Sequence, residues 1–507
     1  MTSDSAAASS SPATQPDMKL FWACFIALVA TSFVFGVRST LIGEIAKDFQ
    51  LSQGDVGRIL GVGLWPFALS IIVFSLIIDR IGYKVASLFA IVCHFLAIGL
   101  TLMARPDNDL LYWGTFTVAL ANGTVEALIN PVVATLFSKN KAKWLNILHA
   151  GWPAGIALGS IFTMLLGGME VSWQVKFGMC LIPVVIYTLL ILPRKFPVNE
   201  RVAAGVSYRD MLGEFGAFGF FMFTVLLVMA IYQAMGTSAN WAVVFGAAAV
   251  VALAAGGYTR SLGRPMFIVI LITMPFLATT ELGTDTWMPD LLSLELGKAA
   301  AWILVYTSVI MTILRSFAGP IVHRLSPIGL LVVSAGVAIA GLLLMQGATG
   351  WSIVAVATLY AFGKTFLWST TLGLVSEQFP RGGALSLNGV SAIGVLGMGV
   401  IGAPLMGIWQ DTDIDKALRD KHPAIHQQVK GNDMANLIGS APSVNAQAVE
   451  NLPEADRKTV TTIQNEFKKK TFARTAILPG FMLVCYLGLF LYFRSRGGYK
   501  PVEIGAH

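Results

Sequence analysis

Charge is scarce in this sequence. Only 12% of its 507 residues are Asp, Glu, Lys or Arg, whereas 55% are hydrophobic, and the mean hydropathy is +0.70. A water-soluble protein needs charged side chains to cover its surface, so this composition excludes a soluble globular fold. Apolar runs of roughly 20 residues recur along the chain, and each can cross a bilayer core of about 30 Å. The alternating pattern of an outer-membrane barrel is absent. We therefore predict an all-α polytopic membrane protein.

The signatures of several kinds of chemistry are also absent. There is no Walker A sequence, no G-x-S-x-G and no H-E-x-x-H, so we expect neither ATP-driven pumping nor hydrolysis, and not an enzyme. All four cysteines lie inside apolar runs, where they are expected to be core residues rather than disulfide partners. The segment DTDID (411–415) lacks the glycine and distal glutamate of a calcium loop, and His422 and His426 lie in a polar loop. We expect no metal, no cofactor and no nucleic-acid partner.

Fourteen apolar runs predict membrane-spanning helices. They lie near 20–46, 56–78, 84–104, 110–137, 143–167, 173–193, 215–234, 241–257, 265–288, 298–321, 327–346, 351–378, 384–410 and 474–494. The runs form groups of six, two and six, and these groups divide the chain into segments. We predict a disordered tail (1–17), an N-terminal six-helix bundle (18–193), a linker with two extra helices (194–264), a C-terminal six-helix bundle (265–494) that includes a polar external loop (411–473), and a tail (495–507).

Basic residues collect in alternate loops. They occur in 79–84, 139–144, 194–213, 259–264, 323–325, 380–383 and 494–500, whereas the opposite turns 235–240 and 347–351 carry no Lys or Arg. Positive loops face the cytoplasm in most membrane proteins. The pattern predicts a multi-pass protein of the cell (inner) membrane with both termini in the cytoplasm.

The two six-helix bundles share a short repeat. The second helix of the first bundle leaves the membrane as SLIIDRIGYK (75–84), and the second helix of the last bundle leaves it as GPIVHRLSPIG (319–329). Matching exits indicate a duplicated chain, and duplicated membrane bundles are typical of transporters with a central path between the halves.

One carboxylate interrupts the apolar run from 110 to 137. Glu126 lies about eleven residues, or about 16 Å, from the end of that run, which places it near the membrane midplane. A lipid-facing ionised carboxylate there costs at least ~3 kcal/mol, so Glu126 must face a cavity, pair with a cation or be protonated. These are the properties of a proton carrier. The alternative is a structural carboxylate that is paired permanently with an interior cation. Asn130 lies one turn further on the same helix face, and Pro131 follows it.

Several segments resemble one family. EALINPVV (126–133) is similar to the fourth-helix motif of the fucose/glucose/galactose-type proton symporters of the major facilitator superfamily. LNILHAGWPAG (145–155), ELGTDTW (281–287), LRSFAGPIVHR (314–324) and GVIGAPLMG (399–407) resemble its fifth, seventh, eighth and eleventh helices. The resemblance covers both six-helix bundles but not the two central helices or the loop 411–473, and it implies proton coupling at Glu126.

The remaining intramembrane polar and aromatic residues are candidates for the substrate site or for a gate. Arg38 can pair with Glu126, contact a substrate oxygen or reach outward to the interface. Glu281 and Asp285 can form an outer gate or be solvated acids at a helix end. Candidates for substrate binding are Arg38, Asn130, His149, Trp152, Glu281, Asp285, Trp287, Lys364, Trp368 and Asn388. Candidates for a cytoplasmic gate are Asp79, Arg80, Lys84, Arg315 and Arg324.

The sequence therefore predicts a secondary active transporter that works by alternating access. We expect a monomer in the lipid bilayer that moves a small polar solute, a sugar first of all, together with a proton. The alternative is an organic-anion transporter in which Arg38, Arg315 and Lys364 bind a carboxylate or a phosphate ester. A transporter-like nutrient sensor is the alternative from a different class.

Overall fold

A computed structural model describes residues 16–51, 56, 58–59, 61–106, 109–169, 171–285, 288, 292, 296–431, 434–436 and 439–504. The first part of the chain forms α1 (Met18–Asp48), α2 (Trp65–Ile81), α3 (Tyr83–Leu102), α4 (Leu110–Leu136), α5 (Lys141–His149), α6 (Gly151–Gly167), α7 (Trp173–Gly178), α8 (Leu181–Ile191) and the short α9 (Glu200–Ala203). The central helices are α10 (Tyr208–Ala234) and α11 (Trp241–Thr259).

The last part of the chain forms α12 (Pro265–Ala278), α13 (Ala300–Ser316), α14 (Ala318–Leu325), α15 (Pro327–Met345), α16 (Trp351–Lys364), α17 (Leu367–Gln378), α18 (Gly383–Gly397), α19 (Ala403–Lys421), α20 (Pro423–Val429), α21 (Ala446–Glu450), α22 (Glu454–Thr475) and α23 (Ile477–Ser495). Two three-residue strands, β1 (Met434–Asn436) and β2 (Gly439–Ala441), pair antiparallel between α20 and α21.

The described helices confirm the predicted all-α polytopic fold. Twelve stretches of the described chain are long and apolar enough to cross a membrane, and a thirteenth is the pair α13–α14, which bends by 66°. The 17-residue α2 takes the place of the remaining predicted span. The predicted beginning of this span includes 57 and 60, which lie outside the described residues.

Several predicted spans are broken helices rather than continuous ones. The 143–167 run divides at Ala150 into α5 and α6, and the 351–378 run divides at 365–366 into α16 and α17. A π-helical turn, Thr279–Gly283, continues α12, and a second one, Met398–Gly402, joins α18 to α19. Such irregular turns leave backbone groups without their usual helical partners, and inside a membrane those groups must bond elsewhere in the protein.

The short repeat has a matching backbone conformation. Gly82 follows α2 with φ 82° and ψ 152°, and Ser326 follows α14 with φ 58° and ψ 159°. At both positions the backbone N–H bonds to the carbonyl four residues earlier, that of Ile78 or Val322. The two segments that the sequence aligns therefore turn in the same way between consecutive helices, which supports a duplicated origin of the bundles.

The basic segments lie together on one face, which we call the basic face. The contacts that join them are Asp79–Arg201 at 2.6 Å, Lys141–Glu200 at 2.5 Å, Arg264–Glu214 at 3.1 Å and Arg381–Asp210 at 3.3 Å. Both ends of the described chain are on this face, because the Phe21 ring lies 5.0 Å from that of Trp144 and the Tyr499 hydroxyl donates to Glu377 at 2.7 Å. Its assignment to the cytoplasm remains a prediction.

The two central helices form a hairpin. In α10, Gly216 has φ 66° and ψ 175°, and the N–H groups of Ala217 and Phe218 after this kink bond to the carbonyls of Ser261 and Leu262 at 3.0 and 3.1 Å. Both ends of the hairpin therefore meet at the basic face. α10 packs against α18, whereas α11 has only Val244 and Ala248 buried among its residues and lies at the periphery.

The predicted loop 411–473 is a folded module. α19 continues to Lys421 and packs against α22, and α20, the β-hairpin and α21 lie between them. The module has its own apolar core, formed by Ile414, Ala417, Leu418, Ile425, Val429, Leu452, Val460 and Ile463. The segment reads as a polar loop in the sequence because its apolar residues are spaced singly along polar helices, which never gives an apolar run.

Candidate functional site

Glu126 lies at the centre of the molecule on α4. It is 3% exposed, and its Oε2 accepts a hydrogen bond of 2.8 Å from Nδ2 of Asn130, one helical turn away. In the described part of the chain Glu126 has no ion-pair partner within 4.0 Å. This conformation therefore does not contain the ion pair between Glu126 and an interior cation that the sequence left open as an alternative.

Asn130 connects Glu126 to two other helices. Its Nδ2 also donates to Oδ1 of Asn388 on α18 at 3.1 Å, and its Oδ1 lies 2.9 Å from Nε2 of His149 at the end of α5. Because the Asn130 amide nitrogen is used for two acceptors, its oxygen is the acceptor for the histidine. In this arrangement Nε2 of His149 carries the proton and the imidazole is the donor.

Asn388 is the contribution of the C-terminal bundle to this cluster. Its Nδ2 donates to Oγ of Ser75 on α2 and to the backbone carbonyl of Ala127 on α4, both at 3.0 Å. The hydrogen-bond partners of Asn388 among the described residues all belong to the N-terminal bundle. The amides of Asn130 and Asn388, both fully buried, therefore form a polar bridge between the two bundles.

Two acids of the C-terminal bundle are paired with cations of the same bundle. Glu281, in the π-helical turn after α12, accepts from Nη2 of Arg315 at 2.5 Å and from the backbone N–H of Trp368 at 2.9 Å. Asp285 forms a buried ion pair with Lys364. These acids are not solvated residues at a helix end, and the two cations do not face lipid.

Arg315 lies in the interior site rather than at the basic face. Its side chain is 1% exposed, and it also donates to the carbonyls of Thr365 at 2.6 Å and His149 at 3.0 Å. The carbonyl of Thr365 is at the break between α16 and α17, and the N–H of Trp368 is in the first turn of α17. The Arg315–Glu281 pair therefore satisfies backbone groups on both sides of this break.

Other predicted site residues lie elsewhere. Arg38 donates from Nη2 to the carbonyl of Ile59 at 2.7 Å, so it does not pair with Glu126. Trp152 is partly buried with its ring 6.1 Å from that of Phe35. The Trp368 ring packs at Gly394. Trp287 lies outside the described residues.

The predicted gate residues have partners that the sequence did not indicate. Asp79 pairs with Arg201 of the linker rather than with Arg80 or Lys84. The Arg80 guanidinium lies 4.8 Å from the ring centre of Tyr208, and Lys84 and Arg324 are exposed. A linker residue can reach Asp79 because α9 folds back over the end of α2, a tertiary arrangement with no signature in the sequence.

Sequence reasoning missed Asn146. It lies one turn before His149 on α5, and its Oδ1 accepts from Oγ of Ser369 at 2.7 Å while its Nδ2 donates to Oγ1 of Thr370 at 3.3 Å. Its three-residue spacing from His149, which places both on one helix face, was a signal that could have found it.

The fold agrees with comparisons to known proteins. Residues 23–404 match the Major Facilitator Superfamily, so the chain belongs to this family; it is a transporter and not an enzyme. A gentisate transporter of Corynebacterium glutamicum is 22% identical over 377 residues, which cover 72% of this chain and 74% of the relative.

Solved structures share the fold at low sequence identity. The fucose:proton symporter of E. coli is 15% identical, with a TM-score of 0.53 over 91% of this chain and 99% of that one. The human organic anion transporter MFSD10 is 10% identical, with a TM-score of 0.54 over 92% of this chain and 99% of that one. The predicted major-facilitator fold is confirmed.

Proposed function

We propose that this transporter moves a small polar solute across the cell membrane together with a proton. Residues 18–193 and 265–494 are the two halves that rock about the central cluster, and 194–264 is the linker that carries the extra hairpin. The basic face lies in the cytoplasm. The single observation that carries proton coupling is the environment of Glu126.

Glu126 differs from the other interior acids in its partner. Glu281 and Asp285 each have a cation within hydrogen-bond distance. Among the described residues, Glu126 has only the neutral amide of Asn130 as a hydrogen-bonding partner. That amide can donate to an ionised carboxylate or to the carbonyl oxygen of a protonated one, so the contact tolerates both states of Glu126. A group with this property can take up a proton and release it during turnover.

The leading substrate class is a neutral polyhydroxy solute such as a sugar. Arg315 and Lys364 are already matched by acids. The side chains of Asn130, Asn388, Asn146 and His149 are among the remaining hydrogen-bonding groups of the centre. Amides and a neutral imidazole both donate and accept, as hydroxyl groups require. The similar fold of the fucose:proton symporter agrees with this choice.

A monocyclic aromatic carboxylate is the second candidate. The specific observation in its favour is the gentisate transporter among the relatives, together with Arg315 and Lys364 at the centre. An anion would have to take the place of Glu281 or Asp285 beside these cations, because each of them is already paired. Uptake of sugar and aromatic-acid panels by the purified protein in vesicles, with and without a pH gradient, separates the two classes.

The variant Glu126→Gln tests the coupling. Glutamine keeps the shape and hydrogen bonds of a protonated acid but cannot release a proton. We expect it to exchange substrate for substrate across the vesicle membrane at a rate near that of the parent, and to lose accumulation driven by a pH gradient.

Glu44→Gln is the matched control for this experiment. It removes an acid that pairs with Lys176 at 2.7 Å, outside the central cluster, and it should retain both activities. If Glu126→Gln accumulates substrate as the parent does, Glu126 is not the coupling acid.

A further inference from the structure

Prolines inside α4 and α6 leave two backbone carbonyls without their helical donors. Pro131 and Pro153 have no N–H, so the carbonyls four residues earlier, those of Ala127 and His149, cannot form the usual helical bond. Both carbonyls are buried within the N-terminal half. A buried carbonyl of this kind needs a donor from elsewhere in the protein.

In both cases the donor comes from the opposite half. Nδ2 of Asn388 donates to the carbonyl of Ala127 at 3.0 Å, and Nη1 of Arg315 donates to the carbonyl of His149 at 3.0 Å. Each donor is fixed by further contacts: Asn388 by Asn130, and Arg315 by Glu281. Arg315 is therefore held in place by its own half before the halves meet, whereas Asn130, which fixes Asn388, belongs to the opposite half.

A third proline provides an internal contrast. Pro275 lies inside α12 of the C-terminal half and frees the carbonyl of Leu271 in the same way. In the part of the chain that the structure describes, no side chain of the N-terminal half bonds to that carbonyl. Among these three freed carbonyls, in the described part of the chain, only those of Ala127 and His149 accept a side chain of the opposite half.

Both contacts lie between the membrane centre and the basic face. Asn388 is five residues from the beginning of α18 at Gly383, a rise of about 8 Å. Arg315 is in the last turn of α13, directly before the bent segment α14 that packs on α5. Any opening toward the basic face must therefore break both contacts.

We propose that the carbonyls freed by Pro131 and Pro153 are the docking points that hold the two halves together on the basic-face side. Asn130 connects both docking points to Glu126. It contacts Asn388, the donor to the Ala127 carbonyl, and it contacts the side chain of His149, whose carbonyl is the other docking point. A change at Glu126 thereby reaches both docking points through one amide. This inference rests on the proposed alternating access, and it gives Asn388 and Arg315 a role in positioning the two halves.

The experiment measures the distance between the halves directly. Spin labels at Lys139 and Arg324, exposed positions on opposite halves of the basic face, report opening by pulsed electron paramagnetic resonance in the full-length protein with Cys485 replaced. Pro131→Ala and Pro153→Ala restore an N–H that competes for the freed carbonyl. We expect each to raise the ratio of long to short distances about fivefold, the effect of one net hydrogen bond, and the double variant to raise it further.

Pro275→Ala is the matched control and should leave the distance distribution unchanged. If either test variant does not fold, Asn388→Asp removes the Nδ2 donor while keeping the side-chain shape, and should give the same shift. Distance distributions like that of the parent in the proline variants and in Asn388→Asp would overturn the proposal. Because the distances are recorded without substrate or a pH gradient, this result is independent of whether Glu126→Gln retains accumulation.

Discussion

The interior of this transporter contains charged side chains that are stable only as pairs. Lys364 is fully buried and Asp285 nearly so, and each is the ion-pair partner of the other. Removing one member of such a pair leaves an uncompensated charge in a dry environment, whereas replacing both members removes the charge altogether. The pair can therefore be tested for structural and functional roles separately.

We predict that Lys364→Met lowers stability by ~3–5 kcal/mol because it leaves Asp285 unpaired. Adding Asp285→Asn should recover most of this loss. Thermal unfolding of the purified protein in detergent measures both effects. The control is Lys458→Met, which removes an exposed helical pair with Glu454 and should change stability by less than about 0.5 kcal/mol. A double variant as unstable as the single one would show that the pairing is not the main role of these residues.

The sequence indicated which residues belong to the interior cluster around Glu126, but it did not indicate the hydrogen-bond partners of every candidate residue. Glu126, Asn130, His149 and Asn388 are polar residues in apolar runs, and such residues must face the protein interior. Their convergence was therefore predictable. The partner of Arg38 was not, because the choice among Glu126, substrate and a backbone carbonyl depends on the rotation of α1 against its neighbours. The Ile59 carbonyl that it bonds has no signature in the sequence.

The central hairpin depends on one backbone conformation. Gly216 combines φ 66° with ψ 175°, a region that is essentially restricted to glycine. A Cβ at this position would lie 2.1 Å from the backbone nitrogen of Gly263, and backbone atoms cannot move aside as a side chain can. The kink also exposes the N–H groups that bind the 261–262 segment, so it fixes both ends of the hairpin.

We predict that Gly216→Ala destabilises the protein by more than the ~1–3 kcal/mol of the backbone conformation alone, because the clash with Gly263 adds to it. Gly246→Ala is the control on the same hairpin: a Cβ there meets nothing within 4 Å, and alanine favours a helix by up to ~1 kcal/mol over glycine. The midpoint temperature of thermal unfolding should be lower for Gly216→Ala than for the parent, and it should not be lower for Gly246→Ala. Equal midpoints would mean that the kink is not needed.

The bounds of a helix were predictable where its apolar run was long and unbroken. The bounds of α1, α4 and α15 follow their runs closely because membrane thickness dictates the length of each. The breaks at Ala150 and at 365–366 were not predictable from hydropathy, since each lies within a stretch that is apolar enough overall to form one span. They exist because side chains of other helices, such as Arg315, supply the missing backbone partners.

The basic face connects the whole molecule through the linker. Glu200 and Arg201 bond to Lys141 and Asp79 of the N-terminal half, while Asp210 pairs with Arg381 of the C-terminal half. The Arg201 side chain also packs at Gly383, where α18 begins. The linker therefore contacts both halves at the same face, and it must rearrange when they separate there.

The Asp79–Arg201 pair should contribute most to this closure. Its side chains are 8% and 6% exposed at a distance of 2.6 Å, whereas those of Asp210 and Arg381 are 47% and 29% exposed at 3.3 Å. Solvent screens the second pair and leaves it worth at most about 1 kcal/mol, but loss of one partner from a buried pair costs about 3–5 kcal/mol. We therefore predict that Arg201→Gln shifts the protein toward an open basic face, and that Arg381→Gln shifts it little.

The labels at Lys139 and Arg324 that report the docking points also measure this shift. Arg201→Gln should increase the long-distance population. Adding Asp79→Asn should return the distance distribution part of the way to that of the parent, because the unpaired buried charge is removed. The same argument applies to salt: high ionic strength should weaken the Arg381–Asp210 contact and leave the buried pair nearly unaffected. If Arg201→Gln and Arg381→Gln give equal distance distributions, the linker follows the halves passively and closure depends on contacts inside the membrane, such as those of Asn388 and Arg315.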